Sequence, residues 1–129
     1  MNPGNFDMLI VEDHQPMRAA LRALLHSVYP GANILEAADG ARALELCMSQ
    51  RPRLVLMDIG LPDANGIELT ARIKAILPEC SVIVVSQHVA PIYAERAHEA
   101  GACAYVTKSA AHQELLPAVA RALAPGVQP

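Results

Sequence analysis

Strand and helix signals alternate five times along this chain of 129 residues, and this regularity restricts the fold more than any other feature. Short apolar runs predict strands at about 7–12, 33–37, 54–58, 81–86 and 103–107. Between them, apolar residues at helical spacing predict helices at about 15–28, 40–50, 65–77, 90–100 and 111–124. Strict alternation of this kind predicts a parallel sheet that helices cover on both faces.

The polar residues that end the apolar runs predict the order of the strands. The first, third, fourth and fifth runs lead into Glu12-Asp13, Asp58, Ser86 and Lys108. Because the carboxyl ends of parallel strands meet at one rim, strands that carry this chemistry are expected to be neighbours. The second run ends in Glu36-Ala37-Ala38-Asp39 and is assigned to an edge. The predicted fold class is therefore α/β, a flavodoxin-like doubly wound sheet of five parallel strands in the order 2-1-3-4-5, with five helices.

Length and composition indicate one domain and exclude several classes of protein. Residues 1–124 hold all the predicted elements, and 125–129 are expected to begin a linker or C-terminal tail. The net charge is −3 and the basic residues are dispersed, so we expect no direct nucleic-acid binding by this segment. There is no secretory signal, no apolar stretch near the ~20 residues of a membrane span, and no closely spaced cysteine pair. We therefore expect a cytoplasmic protein with no membrane partner.

The polar groups expected at the shared rim are suited to metal-assisted phosphoryl transfer. Glu12, Asp13 and Asp58 would form the oxygen-rich kind of pocket that Mg²⁺ prefers. Without a cation or Lys108 beside them, the three carboxylates would repel one another and raise each other's pKa. Asp58 is the candidate nucleophile, since a carboxylate can accept a phosphoryl group to give an aspartyl phosphate. Lys108 and the Ser86 hydroxyl are the groups expected to hold the phosphoryl oxygens.

Over about residues 7–124, five spaced motifs resemble the receiver domain of two-component response regulators. In chain order these motifs are Glu12-Asp13, Leu54-Val55-Leu56-Met57-Asp58, Leu61-Pro62 with Asn65-Gly66, Ser86, and Tyr105-Val106-Thr107-Lys108. Two segments also resemble the LuxR/FixJ-type subgroup, in which the receiver precedes a helix-turn-helix DNA-binding domain. These segments are Val85-Ser86-Gln87-His88 and Thr107-Lys108-Ser109-Ala110.

The resemblance implies a function for the domain as a whole. A sensor histidine kinase would phosphorylate Asp58, and the phosphorylated domain would change its partner-binding surface. The domain would be a phosphoacceptor signalling switch rather than an enzyme that acts on other substrates. A downstream DNA-binding domain would then control transcription, with homodimerisation on phosphorylation as one possible step.

The resemblance also implies a role for each residue of the site. Asp13 and Asp58 would bind Mg²⁺ directly, Glu12 would bind it through water, and the Gly60 carbonyl would be a further ligand. Lys108 and Ser86 would hold the phosphoryl group. Tyr105 would be the switch aromatic that turns inward when Ser86 is drawn to the phosphoryl group.

Two other classes of function compete with this interpretation. One is a pseudo-receiver that acts as a constitutive protein-interaction module, because Gln87 stands where the family usually has a small residue. The other is a phosphatase of the haloacid dehalogenase type, which also uses an aspartyl intermediate. Its Asp-x-Asp motif requires a second acid where this chain has Gly60.

Overall fold

The computed structural model describes residues 6–124. The strands are β1 (Asp7–Val11), β2 (Asn33–Ala37), β3 (Leu54–Met57), β4 (Ser81–Ser86) and β5 (Ala104–Thr107). The helices are α1 (Gln15–Val28), α2 (Gly40–Gln50), α3 (Gly66–Ile76), α4 (Pro91–Glu99) and α5 (Ala111–Leu123), and a 3₁₀ turn at Lys108–Ala110 precedes α5. All ten predicted elements are present, and none of their ends differs from the prediction by more than one residue. The linker predicted at 125–129 lies outside the described residues.

The five strands form one parallel sheet in the order β2-β1-β3-β4-β5, which confirms the predicted fold class. Its register aligns Val11, Met57, Val84 and Tyr105 in one row across four neighbouring strands. The chain leaves each of these strands within three residues of that row. The polar residues that follow the strands are therefore delivered to one rim of the sheet.

The central strand β3 is buried on both faces by two separate apolar clusters. Successive side chains of a strand point to opposite faces. Leu54 and Leu56 accordingly pack with residues of α1 and α5, whereas Val55 and Met57 pack with residues of α2, α3 and α4. Truncating a fully buried leucine of this kind typically costs about 2–5 kcal/mol. This two-sided packing makes β3 a rigid base for Asp58, the residue that follows it.

The helices that cover the Val55 and Met57 face of the sheet, α2, α3 and α4, differ in how many residues they bury. α3 buries Leu69, Thr70 and Ile73 along its length, but α4 buries only Ala97. A helix that contributes so little buried surface can shift at lower cost than its neighbours. α4 is therefore the element on this face that is best able to move.

Two further expectations concern membranes and thiols. No helix within residues 6–124 is both long enough and apolar enough to span a bilayer. Cys47, Cys80 and Cys103 are all free; the first two are buried, and Cys103 is exposed. Burial raises the thiol pKa of Cys47 to about 11 and that of Cys80 to about 12, so both remain protonated and unreactive near neutral pH.

Candidate functional site

The end of β1 contributes two acids with very different environments. Glu12 is buried, with only 1% of its surface exposed, and its backbone N–H donates to the carbonyl of Ala37 at 3.0 Å. Its Oε2 accepts a hydrogen bond of 3.0 Å from the backbone N–H of His14. Asp13, the next residue, is exposed. One acid is therefore fixed inside the rim, and the other faces solvent above it.

Asp58 follows β3 and is held at its base by backbone contacts. Its N–H donates to the Val11 carbonyl at 3.0 Å, and only 8% of the residue is exposed. Helix α3 begins directly against it, because Gly66 donates its N–H to the Ile59 carbonyl at 2.8 Å. A Cβ on Gly66 would collide with the Asp58 carbonyl oxygen and would lie 2.8 Å from the Cα of Ile59. Glycine at position 66 thus permits the approach that fixes the loop around Asp58.

Lys108 links the two buried carboxylates. Its Nζ lies 2.8 Å from Glu12 Oε1 and 3.4 Å from Asp58 Oδ1, and 22% of its side chain is exposed. The stem must reach back over the rim, since Lys108 begins the 3₁₀ turn after β5. The ammonium group is therefore shared between Glu12, which follows β1, and Asp58, which follows β3.

Charge balance at this site is incomplete. Burial and the nearby Glu12 raise the pKa of Asp58, and Lys108 opposes this only in part. Burial also disfavours the charge on Lys108, but the carboxylates of Glu12 and Asp58 outweigh that effect and raise its pKa. One ammonium group thus faces three acids, whose nearest oxygens all lie within 4.8 Å of one another. The cluster retains an excess of negative charge.

The residues at the rim fit a hard divalent cation. Glu12, Asp13 and Asp58 each offer one carboxylate oxygen to a common point. Glu12 Oε1 is buried and has no aligned hydrogen-bond donor among residues 6–124; Lys108 meets it as an ion pair. Gly60, whose carbonyl is the fourth predicted ligand, lines a cleft at this rim together with the three acids. Mg²⁺ binds through one or two carboxylates and retains several waters, which suits a pocket with one exposed acid and an open mouth.

Ser86 and His88, which both line the cleft at this rim, form a connected group with Tyr105. Ser86 is buried, and its Oγ accepts a hydrogen bond of 3.1 Å from the backbone N–H of His88. The hydroxyl of Tyr105 donates to the carbonyl of His88 at 2.7 Å. The His88 ring stacks on Tyr93 of α4, with centroids 4.3 Å apart and planes 13° apart. His88 therefore contacts the serine, the predicted switch aromatic and the weakly anchored helix.

The rim encloses a cleft of about 650 Å³. The structure brings Glu12, Asp13, Asp58, Gly60, Ser86 and Lys108 together in its lining, and Gln87 and His88 lie at the same opening. Tyr105 does not line the cleft, but its hydroxyl bonds to the carbonyl of His88, which does. Another cleft of about 590 Å³ lies at the opposite end of β4 and β5, but Glu79 is the single acid in its lining. Only the first cleft combines clustered acids with an ammonium group among the described residues.

The sequence analysis missed the contacts of two polar residues: Arg18, which supports the rim, and Asp63, which joins the loop after Asp58 to α2. Arg18 donates to the Glu12 carbonyl at 2.8 Å and pairs with Glu36 at 2.9 Å. Asp63 accepts from the N–H groups of Gly40 and Ala41, which lie at the start of α2, at 2.7 and 3.0 Å. These contacts join segments 6 to 23 residues apart, and neither involves a local motif. No signal in the sequence distinguishes them from ordinary surface charges.

Comparison with known sequences identifies the family. The family model named response regulator receiver domain matches residues 8–120. The transcriptional activator protein ExaE of Pseudomonas putida is 37% identical over 117 residues, which cover 91% of this chain and 55% of that protein. The response regulator UvrY of Escherichia coli is 30% identical over 113 residues, which cover 88% of this chain and 52% of that protein. The chain spans about half the length of the curated relatives it matches.

Solved structures agree with the sequence comparison. A two-component response regulator of the LuxR family from Aurantimonas sp. superposes with a TM-score of 0.84 at 34% identity, covering 92% of this chain and 85% of that one. A CheY-like response regulator receiver domain protein from Methanospirillum hungatei gives a TM-score of 0.83 at 26% identity, with coverages of 92% and 93%. This chain belongs to the response regulator receiver domain family, and its relatives include regulators of the LuxR type.

Proposed function

We propose that Asp58 accepts a phosphoryl group from the phosphohistidine of a sensor histidine kinase, with Mg²⁺ held at the rim of the sheet. The observation that carries this proposal is the placement of a buried Asp58 between two other acids within 4.8 Å and the Lys108 ammonium group at 3.4 Å. Family membership adds support, because receiver domains are signalling switches that generally bind Mg²⁺ at an acidic pocket and interact with histidine kinases.

In the proposed reaction, an Asp58 carboxylate oxygen attacks phosphorus and the bond from phosphorus to the histidine nitrogen breaks. The product is an aspartyl phosphate, and the leaving imidazole takes a proton. Asp13 and Asp58 would hold Mg²⁺ directly, with Glu12 acting through water and the Gly60 carbonyl as a further ligand. The bound cation would neutralise charge on the transferred oxygens.

Lys108 and Ser86 would then hold the phosphoryl group. In the free site Lys108 is shared between two carboxylates, so it can turn to a phosphoryl oxygen without leaving the cluster. The Ser86 hydroxyl accepts from His88, which leaves its own hydrogen available to donate to a phosphoryl oxygen. If Ser86 moves toward the phosphoryl group, its Oγ moves away from the His88 N–H, which is its only hydrogen-bond partner within residues 6–124.

The proposed switch follows from the group around His88. Movement of Ser86 would act on the His88 backbone, and His88 holds Tyr105 through its carbonyl and Tyr93 through its ring. The disturbance would shift the population of positions available to Tyr105 and α4, and so change the partner-binding surface there. The relatives named as transcriptional activator or regulatory proteins match this chain over only about half of their own length, which supports transcriptional control through a downstream DNA-binding domain.

The proposal is tested by incubating the chain with acetyl phosphate and Mg²⁺ and measuring its intact mass. Wild type is expected to gain one phosphoryl group, and Asp58→Asn to gain none. Asp63→Asn is the matched control: Asp63 lies five residues further along the same loop and has both carboxylate oxygens bonded to α2. It is expected to be modified like wild type.

Two results would contradict the proposal. Wild-type protein that stays unmodified with acetyl phosphate, and with a purified histidine kinase, would favour the constitutive interaction module. Modification that persists in Asp58→Asn would place the acceptor elsewhere.

A further inference from the structure

Arg18 connects the first turn of α1 to the backbone that carries the two acids of β1. Its Nη1 donates to the Glu12 carbonyl at 2.8 Å, and its Nε pairs with Glu36 Oε1 at 2.9 Å. The side chain is only 18% exposed, although it stands on a solvent-facing helix. A guanidinium group held by a carboxylate on one side has little freedom left to move on the other.

The carbonyl that Arg18 holds belongs to the peptide unit joining Glu12 to Asp13. Two further hydrogen bonds hold Glu12: its N–H donates to the Ala37 carbonyl, and its Oε2 accepts from the His14 N–H. The Asp13 side chain is exposed and makes no hydrogen bond or ion pair to another residue within 6–124. No side-chain partner holds it, so the backbone that sets the direction of its Cα–Cβ bond is the part of its placement that the structure constrains, and Arg18 holds the carbonyl of that peptide unit.

We propose that Arg18 is a positioning residue for divalent cation binding, which it serves by orienting the Glu12–Asp13 peptide so that the Asp13 carboxylate faces the common point of the three acids. This inference rests on the proposed Mg²⁺ site. Arg18 forms no hydrogen bond or ion pair with the side chains of Glu12, Asp13 or Asp58 and is not itself a lining residue of the cleft, so it would act through the Glu12 backbone. Groups that orient metal ligands in this way typically affect metal affinity by about 10–100-fold.

Arg22 provides a matched control one turn further along α1. It pairs with the same Glu36, at 2.9 Å, and also donates to a backbone carbonyl, that of Ile34, at 2.8 Å. It forms no hydrogen bond with Glu12, and 48% of its side chain is exposed. Arg18 and Arg22 therefore share their chemistry and their acidic partner, but only Arg18 reaches the peptide before Asp13.

The sign of the effect separates positioning from electrostatics. Removing a positive charge near an acidic site should by itself strengthen Mg²⁺ binding, because less positive potential opposes the cation. Loss of positioning should weaken it. Arg18→Met is expected to raise the Mg²⁺ dissociation constant at least about tenfold, whereas Arg22→Met should leave it within about twofold or lower it.

The experiment is isothermal titration of MgCl₂ into wild type and both variants, after circular dichroism in EDTA has established that each is folded. Modification by acetyl phosphate is then measured at limiting and at saturating Mg²⁺. Arg18→Met is expected to be slow at limiting Mg²⁺ and to recover at saturating Mg²⁺, which a general loss of stability would not produce. Should Arg18→Met not fold, Arg18→Lys replaces it, since a lysine cannot bond Glu36 and the Glu12 carbonyl through one planar fork.

The outcomes are distinct. Unchanged or tighter binding in the Arg18 variant, with normal Mg²⁺ binding in wild type, would overturn the positioning role and leave the proposed function intact. An equal loss in the Arg18 and Arg22 variants would also overturn it, because their common feature is the Glu36 ion pair. Wild type that binds no Mg²⁺ would overturn both the inference and the cation site on which it rests.

Discussion

The substitution Asp58→Asn is expected to stabilise the unmodified domain in the absence of divalent cations. With an effective dielectric constant of about 20, Lys108 at 3.4 Å attracts Asp58 by about 5 kcal/mol, and an acid no more than 4.8 Å away repels it by at least about 3.5 kcal/mol. Two such acids outweigh the one lysine by about 2 kcal/mol, and burial of Asp58 adds to the penalty. Since Asp13 is exposed and its repulsion is screened, a net gain of about 1–2 kcal/mol is expected in the variant.

The pH dependence gives this prediction its sign. Burial and Glu12 raise the pKa of folded Asp58 above its value in the unfolded chain, so ionised Asp58 destabilises the fold. The deficit of wild type relative to Asp58→Asn is fully present above the folded pKa. It should shrink as the pH falls through that value and vanish below the unfolded pKa of about 3.9.

Asp63→Asn serves as a control of opposite sign. The N–H groups of Gly40 and Ala41 hold the pKa of Asp63 below its usual value, so its ionised form stabilises the fold. That contribution is present above the unfolded pKa and is lost as the pH falls through the lower folded pKa. Asp63→Asn should therefore melt below wild type at pH 8, and the difference should narrow in acid.

The assay is thermal unfolding by circular dichroism in EDTA at pH values from 8 to below 3, so that the range includes the pKa values of both carboxylates. For a domain of this size, about 1 kcal/mol corresponds to roughly 4 °C in Tm. A Tm for Asp58→Asn below that of wild type at pH 8 would refute the reasoning about charge in the cleft. Equal shifts for the Asp58 and Asp63 variants at every pH would refute it as well.

Three further predictions concern the cation, the loop and the lysine. Mg²⁺ at 100 times its dissociation constant should raise the unfolding free energy of wild type by about 2.7 kcal/mol, as measured by urea denaturation, and Asp58→Asn should gain markedly less. Gly66→Ala should lower the free energy of unfolding by about 1–3 kcal/mol in the same measurement, because the added methyl group meets the Asp58 backbone. Gly60→Ala, which has open space at its Cβ, should stay within about 0.5 kcal/mol of wild type. Equal losses in the two variants would argue against the close approach at Gly66. Lys108→Met should bind Mg²⁺ more tightly in calorimetry, because the ammonium group no longer competes for Glu12 and Asp58. The same variant should accept a phosphoryl group from acetyl phosphate at least about 100-fold more slowly than wild type. Weaker Mg²⁺ binding would contradict the proposed competition between Lys108 and the cation.

The strands, their order and the approach of residues at the rim could be predicted because they depend on short-range patterns. Each apolar run ends in a polar group, and one parallel register carries Asp58, Ser86 and Lys108 to the same edge. A strand that is buried on both faces reads as a continuous apolar run, so the end of the run locates the end of the strand and the polar residue that follows it.

Other features could not be predicted because they depend on loop geometry and side-chain direction. Arg18 and Arg22 both look like solvated charges on a helix, and only the folded structure shows that one reaches the Glu12 carbonyl and the other the Ile34 carbonyl. Asp63 reaches the start of α2 because Gly40 leaves room there: a Cβ would lie 3.2 Å from Asp63 Oδ1. The stacking of the His88 ring on Tyr93 joins the turn after β4 to α4, and no pattern in the sequence indicates it.

The contacts of His88 divide into two kinds, and this division affects how such a protein can diversify. Its N–H and carbonyl serve Ser86 and Tyr105, and any amino acid except proline supplies the same two groups. Its imidazole ring alone meets α4. Natural variation at position 88 can therefore alter how tightly the proposed acceptor site is coupled to the protein surface while the groups proposed to handle the phosphoryl chemistry remain untouched.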